Sequence, residues 1–374
     1  MVRNCNYDRK PFAVLGMKTK LVYVITCAPE KFYLEQGCLA VFSARYHNPD
    51  AEIILIVDDK TDAIIKEGRD IITKYVTRRI VVSFDPDKSM MYRSRWIKTS
   101  VRNLVDGDFL FIDSDTLVLK PLDEVDSFTC LMGAVPDSHL PVKDFGKSLL
   151  KATKKKVAAT GLDIEKEDLY FSSGVLFVKD CPVTHKFYKE WHTIWLKNTE
   201  QGVGIDQPSF ALANIAAGHL VERIPDGFNC VMYTEPDFAK DSSILHFTAF
   251  RNPSWLFTER IYRLVRQEGI PEWMTPFILN PVDTYIPFRY SISKMSLRDV
   301  FQSIGRIKDG ARIYAQYVDA DFSDMKPGNA NHRIARKCFV KGRFGLGAVY
   351  CLFPAWLSLK INPKKKVSPN TCAK

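Results

Sequence analysis

The 374-residue sequence has no paired CxxC cysteines, no internal repeat and no low-complexity tract. It also lacks a run of about 20 apolar residues, so no membrane-spanning helix is expected. The opening stretch, MVRNCNYDRKPFAVLGMKTK, has no apolar core of signal-peptide length. The nine cysteines are odd in number and irregularly spaced, which argues against a disulfide framework or a structural zinc site and fits a reducing compartment. The expectation is a cytoplasmic protein. Composition is otherwise ordinary, with 46% apolar and 26% charged residues, enough for a sizeable core.

Acidic residues are missing altogether from 331 to 374, where Arg333, Arg336, Lys337, Lys341, Arg343, Lys360, Lys364, Lys365, Lys366 and Lys374 lie. These account for the whole net charge of +10, because the remaining Lys and Arg balance the 43 Asp and Glu. A nucleic-acid enzyme would spread its basic surface over the body, so the pattern points to a localised anchor and no nucleic-acid partner. Within the tail, Phe344 to Ile361 is apolar and aromatic, is interrupted by Pro354, and reads as too short and broken to span a bilayer. Tyr350, Phe353 and Trp356 beside lysines suit an anionic membrane interface. The alternative is a helix packed on the body with a solvated basic end.

What is present, over the first 180 residues, is an alternation of strand and helix patterns. KLVYVITC (20–27) and EIILIVDD (52–59) read as buried parallel-type strands, with helical spacing between them in residues 30–46. RRIVVSF (78–84), FLFIDSD (109–115), TCLMGAV (129–135) and GVLFVKD (174–180) extend the sheet, and residues 95–105 read as helix. The expected fold is α/β, an open, mostly parallel sheet flanked by helices with its ligand crevice at the strand carboxyl ends. Residues 147–168, KSLLKATKKKVAATGLDIEKED, read as a lysine-rich surface excursion or loop. From about Tyr262 the alternation stops and helical patterns follow, including 296–318.

The informative stretch is GDFLFIDSDTLVLKPLD, Gly107 to Asp123. Alternate residues on a strand share a face, so Asp113 and Asp115, flanking Ser114, point into one space at the strand's mouth. Two carboxylates there repel unless a cation lies between them, and hard oxygen ligands suit Mn²⁺ or Mg²⁺. Such a metal can hold a diphosphate and neutralise the charge that grows on it as a leaving group. The plainer reading is that both acids cap the next turn or are solvated. A haloacid-dehalogenase-like phosphatase would carry Thr or Val where Leu117 stands and needs a downstream GDxxxD, which is missing. A P-loop is missing too, since PVKDFGKS follows the acids and opens on Pro141.

Downstream strings occur in a fixed order: LYFSSGVLFVKD, GIDQPSFALAN and LHFTAFRNPSWLF. With the acid pair they resemble the retaining glycosyltransferases of the glycogenin and bacterial lipopolysaccharide galactosyltransferase family, over roughly Lys20 to Trp255. The resemblance implies a GT-A nucleotide-diphospho-sugar transferase fold, a metal held by Asp113, Asp115 and His246, a UDP-sugar donor, and a glycan or glycolipid acceptor. It places Thr26, Cys27, Ala28 and Asp58 at the uridine pocket, and Lys98 and Ser114 by the diphosphate or sugar. Asp137, Ser172 and Ser173 would contact the sugar or acceptor, and Asp206 and Gln207 would lie near the reacting carbon.

Two departures stand out. The family's asparagine in the serine–glycine string is Ser172 here. In the histidine loop the glycine and lysine are Ala249 and Asn252, leaving Arg251 to supply positive charge to the leaving group. No residue is an obvious covalent nucleophile; Asp206 is the nearest candidate, and attack from the leaving-group face is the other route. The expected divisions are a catalytic domain at 1–260, a helical extension at 261–330 and a membrane-associating tail at 331–374. The competing function class is a non-catalytic sugar-nucleotide scaffold.

Overall fold

The structure, a computed structural model, describes residues 2–6, 16–231, 241–247, 258–281, 297–318 and 330–361. The first part of the chain runs β1 (Val2–Asn6), β2 (Lys20–Ile25), α1 (Tyr33–His47), β3 (Ile53–Asp58), α2 (Asp59–Lys66), β4 (Arg78–Val82), α3 (Met90–Lys98) and β5 (Phe109–Ile112). It continues through β6 (Thr116–Val118), β7 (Met132–Pro136), α4 (Lys147–Val157), β8 (Phe171–Val178), α5 (Pro182–Glu200), α6 (Asp206–Ala216) and β9 (Val221–Arg223). Two short strands, β10 (Cys230–Val231) and β11 (Ile244–His246), precede the helices α7 (Glu259–Glu268) and α8 (Thr275–Leu279).

The main sheet has the order β1-β4-β3-β2-β5-β8-β7-β9 among the described residues. Its centre is parallel, from β4 through β3 and β2 to β5. β8 pairs antiparallel with both β5 and β7, and β1 closes the far edge antiparallel to β4. The expected open α/β sheet is therefore present. The strands β2, β3, β5 and β8 at its centre are buried on both faces, and successive residues sort to opposite sides. Leu21, Tyr23 and Ile25 pack with Leu34, Cys38 and Val41 of α1. Val22 and Val24 pack with Ile97, Trp191 and Phe210 from α3, α5 and α6. This two-sided cover is why β3 reads as an unbroken Ile–Ile–Leu–Ile–Val run, each side chain fully buried. Burial of one such side chain is worth about 1.5–3 kcal/mol.

After β2 the chain moves outward to β3 and β4, then returns to lay β5 on the other side of β2. The carboxyl ends of β2 and β5 thus flank the point where the winding reverses, the place where open α/β sheets leave a crevice. β5 ends at Ile112, so Asp113 emerges into that crevice. Immediately beyond it, β6 joins a three-stranded sheet in which β11 is antiparallel to β6 and parallel to β10. His246 is opposite Thr116 in that register.

Residues 147–168 are not the loop their lysines suggest. Lys147–Val157 is α4, an amphipathic helix whose Thr153 and Val157 are buried. Leu149 and Leu150, like Ala211 and Leu212 of α6, pack against the cluster that includes Val142, Phe145, Ile164 and Tyr170. Lysine is a good helix former, and the apolar positions recur at helical spacing beneath an exposed basic face.

The C-terminal helices are α9 (Leu297–Val318), α10 (Ala330–Val340) and α11 (Phe344–Ile361). Gly347 lets α11 approach α10 closely, since a Cβ there would lie 2.4 Å from the Phe339 ring. Ile307, Ala311, Ala335, Phe339 and Ala348 join the same apolar core as β2 and α1. The helix α11 continues through Pro354 and is not broken there. Among the described residues, no helix is long and apolar enough to cross a membrane.

Candidate active site

The acid pair and the histidine meet because two strands meet. The Asp113 amide donates to the Gly174 carbonyl at 2.8 Å, and the Phe247 amide to the Asp115 carbonyl at 2.8 Å, tying the DSD turn to β8 and β11. One ligand atom from each of Asp113, Asp115 and His246 falls within 4.8 Å of the others. His246 Nε2 is 3.1 Å from Asp115 Oδ1. Gly174 makes this approach possible: a Cβ there would lie 2.5 Å from His246 Cε1 and 3.1 Å from Asp113 Oδ2.

Electrostatics mark the cluster as short of positive charge. Burial pushes the Asp113 carboxyl up, the Lys98 ammonium opposes this, and Asp115 adds to it. Burial would lower the His246 pKa, but Asp115 and Asp113 outweigh it and hold it above its usual value. Two carboxylates and an imidazole within reach of one point form a suitable donor set for a borderline divalent ion such as Mn²⁺. The residues present fit that metal.

Beside this cluster is a buried ion network. Lys98 Nζ is 3.0 Å from Asp113 Oδ1 and 3.1 Å from Asp206 Oδ2. Asp206 opens α6 and is only 5% exposed. Its carboxylate also accepts from Ser173 Oγ at 2.6 Å and faces Arg95 Nε at 2.9 Å. Burial would raise its pKa, yet Lys98, Arg95 and the Ser173 hydroxyl together hold it far below the usual carboxylate range. Next on α6, Gln207 donates from Nε2 to Asp137 Oδ2 at 3.1 Å and to the Phe171 carbonyl at 3.0 Å, and Lys156 of α4 donates to its Oε1. The turn after Asp137 holds Ser138 and His139 at φ of 62° and 59°, a conformation that costs non-glycine residues energy.

Asp113, Asp115, His246, Lys98, Ser173 and Asp206 are thus one connected group, with Asp137 and Gln207 paired to each other beside it. Ser114 follows directly in the DSD turn, and its Cβ lies 3.7 Å from where a side chain on Gly37 would begin. Ser172 is turned inward, its Oγ accepting from the Gly174 amide and from Asn229 Nδ2. At the end of β2, Thr26 Oγ1 donates to the Met90 carbonyl and the Cys27 amide donates to Thr61 Oγ1, with Ala28 following at the crevice edge. Asp58 is fully buried, caps α2 by accepting from the Thr61 amide and pairs with the Arg93 guanidinium. Arg251, with Ala249 and Asn252, lies outside the described residues.

Two residues at the site were not flagged by the sequence strings. Arg95 precedes Lys98 by one helical turn on α3, a spacing that puts both on one face and was readable. Asn229 belongs to no recognisable string.

No protein-family model matches the sequence, and no curated protein does. Among solved structures the chain is similar to the galactosyltransferase LgtC in complex with donor and acceptor sugar analogues, at 15% identity and TM-score 0.45, over 69% of this chain and 99% of that one. It is also similar to the bifunctional glycosyltransferase WbbM, at 14% identity and TM-score 0.45, over 74% of this chain and 54% of that one. A third is mouse xyloside xylosyltransferase 1, at 12% identity and TM-score 0.40, over 61% of this chain and 97% of that one.

Proposed function

We propose that this chain is a metal-dependent glycosyltransferase that moves a hexose from a UDP-sugar to a hydroxyl of a glycan or glycolipid. The observation that carries the reading is the convergence of Asp113, Asp115 and His246 at the reversal point of the sheet, directly beside the Lys98–Asp206–Ser173 network. In this reading the three residues hold Mn²⁺ or Mg²⁺, which when bound neutralises charge on the departing diphosphate.

The chain's own groups then divide the remaining work. Lys98 and Arg95 supply fixed positive charge next to the diphosphate end of the crevice, where preorganised charge is most effective. Arg251 is the further cation assigned to the leaving group. Asp206 stays ionised, with Lys98, Arg95 and Ser173 already on its oxygens. That suits an electrostatic partner for positive charge developing on the sugar better than a free covalent nucleophile, and it favours attack from the leaving-group face with retention. Asp137 and Gln207, locked together, present a fixed edge of acceptor oxygens for sugar hydroxyls. Thr26, Cys27 and Ala28 give the backbone end of β2 to the base.

The C-terminal helices fit peripheral attachment of a cytoplasmic enzyme to an anionic membrane. Gly347 and Ala348 of α11 face inward, while Leu346, Val349 and Leu357 are exposed, as are Arg333, Lys337, Lys341 and Arg343 nearby. The side chain of Trp356, and Lys364 to Lys366, are outside the described residues.

The test is nucleotide release from a panel of sugar nucleotides with Mn²⁺, repeated with EDTA. Metal-dependent hydrolysis of one donor is the expected result and names the sugar. Silence across the panel together with absent Mn²⁺-dependent UDP binding would remove the reading. NMR of the product anomer decides retention.

A further inference from the structure

We infer that Asn229, which no motif marks, is a positioning residue that sets the orientation and tautomer of His246 for metal ligation; this rests on the metal reading above. Asn229 is fully buried at the junction of three parts of the site. Its Oδ1 lies 3.0 Å from His246 Nδ1. Its Nδ2 lies 3.0 Å from Ser172 Oγ on β8. Its backbone carbonyl accepts from His139 Nε2 at 2.9 Å, in the left-handed turn beyond Asp137.

The Asn229 amide is oriented with Nδ2 toward Ser172 and Oδ1 toward the ring. Ser172 Oγ already accepts from the Gly174 amide at 3.2 Å and takes the Asn229 amide as a second donor. With Nδ2 committed to Ser172, it is the carbonyl oxygen that faces the ring. An acceptor there holds a proton on Nδ1, which leaves the Nε2 lone pair as the ligating one. Nε2 is the nitrogen that faces Asp115, the second acid of the cluster. Gly174 backs the same ring so closely that a Cβ there would lie 2.5 Å from Cε1 and 2.8 Å from Nδ1, while Nε2 has the Asp115 carboxylate in front of it.

The site thereby gives a role to the serine that stands at position 172. An asparagine there would present its own amide to sugar. Ser172 instead faces inward and fixes the amide of Asn229, so part of the polar reading surface has become support for the metal centre.

The experiment is Mn²⁺ binding to the full-length protein, by isothermal titration and by the loss of free-Mn²⁺ electron paramagnetic resonance signal, with thermal melting in EDTA to report the fold. Asn229→Ala removes the acceptor and lowers Mn²⁺ affinity about 10- to 100-fold, the usual effect of losing a ligand's outer partner. Asn229→Asp keeps an acceptor on Nδ1 and binds Mn²⁺ at least as tightly as wild type, although it loses the donor to Ser172. A purely structural asparagine would make both variants weaken alike, and that result overturns the inference, as does wild-type affinity in Asn229→Ala. Should Asn229→Ala fail to fold, Asn229→Asp and Ser172→Ala decide: weak binding in the former, or unchanged binding in the latter, overturns it. Absent Mn²⁺ binding in the wild type is a different failure, that of the metal reading itself.

Discussion

The ammonium of Lys98 lies 3.1 Å from Oδ2 of Asp206, two groups far apart in sequence and both almost without access to solvent. The same nitrogen reaches Asp113 at 3.0 Å, so one buried cation separates a candidate metal ligand from the acid that opens α6. Lys98→Met keeps an unbranched apolar side chain and removes the charge, including the ammonium that lies 5.0 Å from the centroid of the Phe111 ring. Nucleotide release is expected to fall at least about 100-fold, roughly 2.7 kcal/mol of lost transition-state stabilisation. Stability falls as well, because two carboxylates lose their shared partner. Circular dichroism on the variant separates the two effects. Turnover within threefold of wild type would reduce Lys98 to a structural ion.

Asp113→Asn and Asp115→Asn each replace a carboxylate by a neutral amide of the same shape. Both variants are expected to fold, to lose Mn²⁺ affinity and to show no metal-dependent donor hydrolysis. Asp115→Asn also weakens the tie to His246, so its metal loss should be the larger. The check is Mn²⁺ titration beside the release assay. Near-normal turnover in either variant excludes that residue from the metal.

Gly174→Ala tests the geometry without touching a ligand. The added Cβ would meet His246 Cε1 at 2.5 Å, inside any van der Waals contact, and the ring has to move. Overpacking of this kind typically costs about 1–3 kcal/mol, readable as a lower urea midpoint. Mn²⁺ affinity should fall with it. Preserved affinity in a destabilised variant would mean that the His246 ring does not have to stay where it is for the metal to bind.

Much of the frame could be read from residue order. Runs such as Ile53–Val57 announce strands covered on both faces, and the DSD string announces its place because β5 ends one residue before it. Other features depend on tertiary contacts that strings do not carry. α4 was hidden because its lysines dominate, while its buried face needs only Thr153, Val157 and two half-buried leucines. The resemblance implies a place for Asp58 at the uridine pocket, and a strand-end acid is equally a helix cap; the cap on α2 and the pairing with Arg93 depend on residues that the string around Asp58 does not show. Asn229 acts through a side chain on β8 and another on β11, and local spacing says nothing about either.

Asp206 also predicts a pH dependence. Its carboxyl is held far below the usual range because Lys98, Arg95 and Ser173 favour the ionised form more than burial disfavours it. A group depressed in the folded state contributes stability that is complete above its unfolded value, about 3.9 for an aspartate. That contribution is lost as pH falls below this value toward the depressed folded one, because the unfolded chain binds the proton first. Urea midpoints should therefore be insensitive to Asp206 from pH 7 to about pH 5, then fall with a slope of up to about 1.4 kcal/mol per pH unit from this group. Asp206→Asn should be less stable than wild type at pH 7, since Lys98 and Arg95 lose their counter-charge, and its acid limb should be shallower by that slope. Parallel acid limbs in the two proteins would show that the Asp206 carboxylate is no more favoured in the folded chain than in the unfolded one.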